Sequence, residues 1–233
     1  MGRSEENRNR GVFELKRLII LDFGNGSEHG NDLKYIKKMI DKVIKLRAKT
    51  DKELIVKFQI WDHGNKLIDE RLKSTDIQIF NEAFYYGKDN GLKVTSSVFD
   101  KWSLQFVKQY DPRFIKIACI PELYYLTNDE NSKFVVSVPN YEWANYFRLV
   151  SIPTMYAIRK YPAFELDYIH LIETLPEFDI LDPAANISDH TSNFSLYKKY
   201  QPNIYECHVC LEKKEGIFDN SFVRKLDDLK EIL

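Results

Sequence analysis

The strongest constraint on the fold is an alternation, repeated along the chain, of short apolar runs and amphipathic segments. Eight runs have the length and composition of buried strands, at residues 17–24, 53–61, 92–99, 114–120, 133–140, 153–161, 179–188 and 203–211. Seven segments of helical character lie between or after them, at residues 32–48, 66–90, 101–110, 141–150, 166–175, 192–200 and 221–233. This order predicts a (β/α)8 TIM barrel of the α/β class, with an open doubly wound sheet as the alternative.

Size and charge narrow the range of functions. A chain of 233 residues with 44% hydrophobic content can form one large core. We therefore expect residues 12–233 to make a single barrel domain and residues 1–11 a disordered tail. The 34 basic and 35 acidic side chains nearly cancel, which argues against a nucleic-acid or membrane partner. No apolar run approaches about 20 residues and the first residues are too polar for a signal peptide, so a cytoplasmic location is expected.

The cysteines do not form the pattern of a disulfide framework. Their number is odd, with Cys119, Cys207 and Cys210, so reduced thiols are expected. Cys207 and Cys210 form a Cys-x-x-Cys inside a predicted strand, where residues three apart point to opposite faces. This placement argues against a redox pair or a zinc knuckle.

Polar side chains interrupt strands that should be apolar on both faces in a parallel barrel. Lys57 and Gln59 share one face of the second strand, and a buried lysine requires a partner. Similar residues recur at or near the carboxyl ends of the other strands. Because barrel active sites lie at that end, we expect these side chains to meet at one mouth. The set comprises Asp22, Lys57, Gln59, Ser97, Lys116, Ser137, Arg159, Tyr161, Ser188, His190, Glu206 and His208.

The residue types in this set indicate the chemistry. Two lysines, an arginine and several hydroxyls favour an anionic, phosphorylated ligand. His190 and His208, on adjacent strands, favour a metal held by imidazole. An unrelated barrel metalloenzyme, such as an aldolase or a sugar isomerase, stays open as an alternative, with Glu206 as a further metal ligand.

Several motifs occur together in the order of a known family. LIILDFG with a following HG, IVKFQ, TSSVFD, FIKIAC and FVVS fall on the first five strands. The more specific pieces are KYP at 160–162, ISDHT at 187–191, YECH at 205–208 and the FDN…LDDLKEI ending. Over residues 17–233 the chain resembles the sialic acid (N-acetylneuraminate) synthase family, which condenses phosphoenolpyruvate with an N-acetylhexosamine to make nine-carbon sugar acids.

The resemblance implies a metal-dependent transferase that joins phosphoenolpyruvate to an aminosugar or a related aldehyde and releases phosphate. It places catalytic or sugar-side roles on Asp22, Lys57, Gln59, Lys116, Tyr161 and Asp219. It places phosphoenolpyruvate contacts on Lys57, Ser97, Lys116, Cys119, Ser137, Arg159 and Ser188. It assigns the metal to His190 and His208, with manganese as the expected divalent ion and magnesium as the alternative.

The chain also departs from the family pattern. Cys119 stands where the family has a serine, Arg159 where it has an asparagine, and Asp22 where it has a glutamate. The sequence ends after the eighth helix, so we expect it to lack the family's antifreeze-like C-terminal domain, which supplies an arginine to the partner's sugar site in a dimer. We therefore consider an altered acceptor, a homodimer, and a separate small domain or partner subunit. The rival hypothesis is a catalytically degenerate barrel acting as a binding or regulatory subunit in a sugar-acid or surface-glycan pathway.

Overall fold

The computed structural model describes residues 17–173, 186–213 and 221–233. Within these residues a parallel sheet closes on itself, because its first strand pairs with the second on one side and with the eighth on the other. The predicted (β/α)8 TIM barrel is confirmed, and the open doubly wound sheet is wrong. The strands are β1 (Leu18–Asp22), β2 (Glu53–Ile60), β3 (Lys93–Val98), β4 (Ile115–Ile117), β5 (Phe134–Val138), β6 (Thr154–Ala157), β7 (Ile187–Asp189) and β8 (Ile204–Cys210).

Helical segments connect successive strands. The α-helices are α1 (Gly26–His29), α2 (Leu33–Arg47), α3 (Ile77–Asp89), α4 (Lys101–Lys108), α5 (Tyr141–Leu149), α6 (Glu165–Glu173) and α7 (Ser195–Tyr200). A 3-10 helix at Pro121–Asn128 connects β4 and β5, where we predicted no helix, and a second one at Leu226–Glu231 follows a short strand, β9 (Arg224–Lys225). In the described ranges no helix combines the length and the apolar character needed to cross a membrane.

The longest helix, α2, shows why the helical predictions succeed. The Asp32 side chain accepts hydrogen bonds from the backbone N–H groups of Lys34 and Tyr35, which caps the helix. One apolar stripe then turns inward, formed by the buried residues Ile36, Met39, Ile40, Val43 and Leu46. The predicted helix over 32–48 is confirmed to within one residue at each end.

The segment 66–90 behaves differently from its prediction. A helix forms only from Ile77, after Asp76, whose side chain accepts hydrogen bonds from two backbone N–H groups of α3. Residues 61–76 instead form an irregular segment, because hydrogen bonds to residues outside a helical pattern fix their backbone. The Ser74 hydroxyl accepts from the Trp61 N–H, and the Asn31 amide donates to the Ser74 carbonyl. The prediction of a helix starting at residue 66 is wrong.

The segment 221–233, predicted as a helix, also has another structure. Residues Arg224–Lys225 are extended and pair with Val209 and Cys210 of β8. The Arg224 guanidinium is buried against Asp189, which holds this part of the chain against β7 and β8. A tertiary ion pair thus overrides the local apolar spacing, and only a 3-10 turn follows.

Two of the predicted strands depart most from their expected bounds. β6 ends at Ala157, so Arg159 and Tyr161 follow the strand and do not belong to it. β7 covers Ile187–Asp189, while most of the predicted run at 179–188 lies outside the described residues. The division into a tail at 1–11 and one domain at 12–233 stays a prediction, because residues 1–16 are also outside them.

An apolar layer closes the amino-terminal end of the barrel. Its members come from the beginnings of the strands or just before them, and all are buried: Leu18, Ile20, Ile55, Phe114, Val135, Met155 and Ile204. Because the barrel is filled at this end, a ligand can enter only at the carboxyl end. Cys207 and Cys210 lie three residues apart on β8, as free cysteines.

Candidate active site at the carboxyl ends of the strands

The side chains inside the barrel change from apolar to polar over two residues along a strand. Successive side chains of a strand alternate between its two faces, so the next interior residue lies two positions along. Ile20 is followed by Asp22, Ile55 by Lys57, and Ile204 by Glu206. The resulting buried group, called the polar layer below, consists of Asp22, Lys57, Ser97, Lys116, Ser137, Ser188 and Glu206.

Lys57 lies between two carboxylates. The register of β1 and β2 sets it beside Asp22, and its Nζ atom is 2.7 Å from Asp22 Oδ2 and 3.2 Å from Glu206 Oε1. It also donates to Ser97 Oγ at 3.1 Å. Burial alone would lower the pKa of Lys57, but the two carboxylates raise it above its ordinary value. This lysine is therefore charged and has an acceptor for each of its three N–H groups.

The charge of Lys116 is less fully neutralised by nearby carboxylates than that of Lys57. Its Nζ atom donates to Ser137 Oγ at 2.6 Å and to the Ile117 carbonyl at 3.2 Å. The Glu206 carboxylate is 3.9 Å away. Burial, helped by the charge of Lys57, lowers the pKa of Lys116 to about 8, although Glu206 opposes the shift. An anion placed beside Lys116 would supply the countercharge that the barrel itself provides only at a distance.

Glu206 faces the lysines. Its Oε1 atom accepts from Ser188 Oγ at 2.8 Å and from Lys57. Burial raises the pKa of this carboxyl, but Lys116 and Lys57 outweigh burial and bring it below its ordinary value. Within the described part of the chain, no three His, Cys, Asp or Glu side chains are grouped to hold a metal. The alternative in which Glu206 serves as a metal ligand has no support from this geometry.

Asp22 links the polar layer to the histidines. Its Oδ2 atom accepts from Gln59 Nε2 at 3.0 Å and lies 3.4 Å from His208 Nε2. Its Oδ1 atom accepts from the Gly24 N–H at 2.8 Å. Burial raises the pKa of Asp22, but Lys57 and His208 more than reverse the rise, so the pKa is lowered. Asp22 is thus an ionised acceptor at the centre of the site.

The two histidines lie side by side at the mouth, with ring centroids 5.7 Å apart. His190 Nδ1 is 2.8 Å from the Ile158 carbonyl oxygen. Since a carbonyl only accepts, Nδ1 carries the proton and Nε2 keeps the lone pair that a metal would use. Burial, with the charge of His208, lowers the pKa of His190 to about 4, which keeps the ring neutral. A donor set of two imidazoles fits a divalent ion whose other ligands are water or substrate oxygens.

Aromatic rings surround the histidine pair. The Tyr161 ring is 4.5 Å from the His190 ring, and the Phe222 ring is 5.0 Å from the His208 ring. Glu28 of α1 approaches from the other side, with Oε2 at 3.6 Å from His208 Nδ1. The Glu28 carboxylate also accepts from the Asn25 N–H in a capping box, which fixes its direction.

The polar layer, Gln59, Glu28, Tyr161 and the two histidines line one cavity of about 290 Å3. The polar layer forms its floor, and one wall is apolar, with Trp61, Ile68, Leu72 and Phe99. The Cys119 thiol lies 3.7 Å from the Ala157 carbonyl, and burial raises its pKa to about 11, so it stays protonated at neutral pH. The pocket is therefore shaped for a ligand with an anionic end and an apolar side.

The structure brings the predicted residues together and adds others. Thirteen of the fourteen predicted site residues line the cavity, and Asp219 lies outside the described residues. The roles assigned to them stay predictions. Sequence reasoning missed Asn25, Glu28 and the apolar wall. The spacing of Asn25 and Glu28, directly after a strand, is the signature of a capping box and could have revealed both.

The fold and this cavity define a (β/α)8 barrel with an ion-paired, hydroxyl-rich pocket at the carboxyl ends of its strands. No protein-family model matches the sequence, and no curated protein matches it. Among solved structures, the barrel is similar to the N-acetylneuraminic acid (sialic acid) synthetase of Leptospira borgpetersenii, solved with citrate. The TM-score is 0.72 at 19% identity, over 91% of this chain and 80% of that one.

Two further solved structures are also similar to this barrel. The spore coat polysaccharide biosynthesis protein SpsE of Bacillus subtilis gives a TM-score of 0.71 at 18% identity, over 92% of this chain and 65% of that chain. Phospho-2-dehydro-3-deoxyheptonate aldolase of Thermotoga maritima gives 0.58 at 11% identity, over 92% and 67%. The chain thus has a sialic acid synthase-like barrel, as the motifs predicted, and the likeness at these identities concerns the fold.

Proposed function

We propose that the protein is a phosphoenolpyruvate-dependent synthase that joins phosphoenolpyruvate to the open-chain aldehyde of an aminosugar or a related sugar. The products are a sugar acid and inorganic phosphate. The observation that carries the proposal is the convergence of Lys57 and Lys116 with the hydroxyls of Ser97, Ser137 and Ser188 on the cavity floor. The likeness of the barrel to a solved sialic acid synthetase supports the same reaction.

The floor suits a ligand with two anionic groups. Ammonium and hydroxyl donors from β2, β3, β4, β5 and β7 point into one space and offer hydrogen bonds to phosphate and carboxylate oxygens. Lys57 is already held by two carboxylates, whereas Lys116 has its nearest carboxylate oxygen at 3.9 Å. We therefore assign the more strongly charged group, the phosphate, to the side of Lys116 and Ser137.

The reaction then forms a C–C bond and a C–O bond, and it breaks the C–O bond to phosphate. The enol carbon of phosphoenolpyruvate attacks the aldehyde carbon, and the aldehyde oxygen takes a proton. Water adds to the cationic carbon that results, and one of its protons replaces the proton taken up by the aldehyde oxygen. The other proton leaves with phosphate as the C–O bond breaks and the ketone forms. Asp22 is ionised and can accept the proton of that water at Oδ2, while Lys116 stabilises the charge of the departing phosphate.

A metal would complete this chemistry at the mouth. His190 and His208 would hold a divalent ion, which as a Lewis acid would polarise the aldehyde. The Ile158 carbonyl fixes the tautomer of His190 for this role. The aromatic rings of Tyr161 and Phe222 limit access of water to the imidazoles.

Phosphate release tests the proposal directly. The protein, stripped by a chelator and reloaded with manganese, is incubated with phosphoenolpyruvate and N-acetylmannosamine or its phosphorylated and carboxylated analogues. Lys116→Gln should lower kcat/KM about 100-fold or more, because it removes a positive charge from the reacting anion. Lys198→Gln is the matched control, since Lys198 pairs with Glu231 on the outer surface. Absence of both phosphate release and phosphoenolpyruvate binding would refute the proposal.

The second candidate is a catalytically degenerate barrel that binds an anion as a subunit of a larger assembly. The observation in its favour is the closed ion-pair network, in which Asp22 and Glu206 already neutralise the floor. It predicts that phosphoenolpyruvate binds without turnover under any of these conditions. Calorimetry beside the phosphate assay separates the two candidates.

A further inference from the structure

We propose that the acceptor sugar carries an anionic group of its own, a phosphate or a carboxylate, at the end away from the aldehyde, and that Arg159 binds it at the rim of the cavity. The inference rests on the proposed function and adds the charge class of the second substrate. It follows from the balance of charges in the cavity and from the position of Arg159.

Among the described residues, each carboxylate that lines the cavity already has a partner. Asp22 accepts from Lys57 and Gln59, and Glu206 accepts from Lys57 and Ser188. Glu28 accepts from the Asn25 N–H and faces His208. In the part of the chain that the structure describes, no carboxylate forms an ion pair with Arg159. Among residues 17–173, 186–213 and 221–233, Arg159 is thus a cavity cation without a carboxylate partner.

The backbone on both sides of Arg159 is fixed at the mouth. The carbonyl of Ile158 holds His190 Nδ1 at 2.8 Å, and the Tyr161 ring packs on the His190 ring at 4.5 Å. Arg159 lies between these two contacts, just after β6, and its side chain is exposed while lining the cavity. It therefore belongs to the rim, above the histidine pair, and not to the floor.

This position separates Arg159 from the two floor lysines, so we assign it to the acceptor and not to phosphoenolpyruvate, the ligand that the resemblance implies for it. The lysines of the floor are buried, with Lys57 at 3% and Lys116 at 1% exposure. A sugar aldehyde must reach down to the enol carbon at that floor, so the far end of the acceptor extends toward the rim.

Solvation explains why a neutral acceptor would fit poorly. A guanidinium stays charged at any working pH, and a ligand that covers it removes water from it. A neutral sugar would provide hydroxyls but no countercharge, whereas a phosphate or carboxylate can accept two parallel N–H bonds. The apolar part of the cavity lining, with Trp61, Ile68 and Leu72, offers no charge to an anion.

The test compares three acceptors: N-acetylmannosamine, its 6-phosphate, and the corresponding uronic acid. The wild-type protein should use one of the charged acceptors about 10- to 100-fold better than the neutral one, as expected for hydrogen bonds to a charged group. Arg159→Gln should abolish this preference through the acceptor KM, with the phosphoenolpyruvate KM unchanged. Arg159→Lys should restore part of it. The comparison of phosphate with uronic acid identifies which anion is bound.

Lys160→Gln is the matched control, because Lys160 is the next cation along the chain and pairs with Asp167 on the outer surface. It should leave all three kinetic ratios unchanged. Equal use of neutral and charged acceptors by the wild type would overturn the inference while leaving the proposed function standing. So would an Arg159→Gln effect confined to the phosphoenolpyruvate KM.

Calorimetry keeps the inference testable if no acceptor is turned over. The 6-phosphate and the uronic acid are titrated into the wild type and Arg159→Gln without phosphoenolpyruvate. Binding of either anion that weakens about tenfold or more in the variant, and weakens with salt, supports the inference even if the proposed reaction fails. Equal binding by both proteins, or binding by neither, overturns it.

Discussion

The buried pair of Arg224 and Asp189 gives the sharpest quantitative prediction. Arg224 Nη2 is 2.8 Å from Asp189 Oδ2, and the two side chains are 2% and 0% exposed. The guanidinium also donates to the backbone carbonyls of Asp189 and Asn193 and to the Thr191 hydroxyl. These contacts tie β9 to the loop that follows β7, and that loop carries His190.

Replacing Arg224 by Met keeps the apolar stem and removes every one of these donors. Among the described residues, Asp189 would then be a buried carboxylate with the Tyr205 hydroxyl and the Thr191 N–H as its remaining donors. Breaking a buried pair from one side costs about 3–5 kcal/mol. Because the free energy of unfolding of a folded domain is about 5–15 kcal/mol, this single change should remove a large part of it.

Urea unfolding followed by circular dichroism measures the change, since the midpoint shifts while the slope stays constant. The double variant Asp189→Asn with Arg224→Met should recover about 1 kcal/mol or more, because no charge is left buried. Lys198→Gln breaks an exposed pair and should cost no more than about 1 kcal/mol. A loss below about 1 kcal/mol in Arg224→Met would refute the assignment of this pair as a main tie of the carboxyl-terminal segment.

Three further changes have defined outcomes. The affinity for phosphoenolpyruvate, measured by calorimetry, should fall as the pH rises through about 8, because Lys116 then loses its proton, and Lys116→Met should remove this dependence. Gly24→Ala should lower the free energy of unfolding by about 1–3 kcal/mol, because Gly24 has a φ of +78° and a Cβ there would overlap the Glu28 carboxylate. Asp76→Ala should cost about 1 kcal/mol in urea unfolding by removing the cap of α3.

The barrel and its mouth were predictable because both follow from local patterns. Lys57 and Gln59 alternate with apolar residues on β2, and Glu206 and His208 do the same on β8. A period of two places such residues on one face, and a closed parallel sheet turns that face inward. The convergence of polar side chains could thus be deduced before any coordinates were known.

The features that could not be predicted depend on contacts between residues far apart in the sequence. Ile68 and Leu72 have the spacing of a helix face, yet they line the cavity because residues 61–76 are hydrogen-bonded to Asn31, Ser27 and Phe99. The extended conformation at Arg224 depends on Asp189, 35 positions earlier. The direction of Glu206 depends on lysines from β2 and β4 across the barrel. Local secondary-structure propensity gives no information on these distant partners.

The balance of charge on the floor links folding to function. Two buried lysines without carboxylates would oppose closure of the barrel, and Asp22 and Glu206 remove most of that cost. A bound anion must then compete with the same carboxylates, so its net affinity is the difference between two sets of ion pairs. That difference is largest beside Lys116, which has the more distant carboxylate and the lowered pKa. The carboxylates thus allow the barrel to close without a ligand. On the cavity floor, Lys116 keeps the strongest attraction for an anion, because its charge is the less fully neutralised of the two lysines.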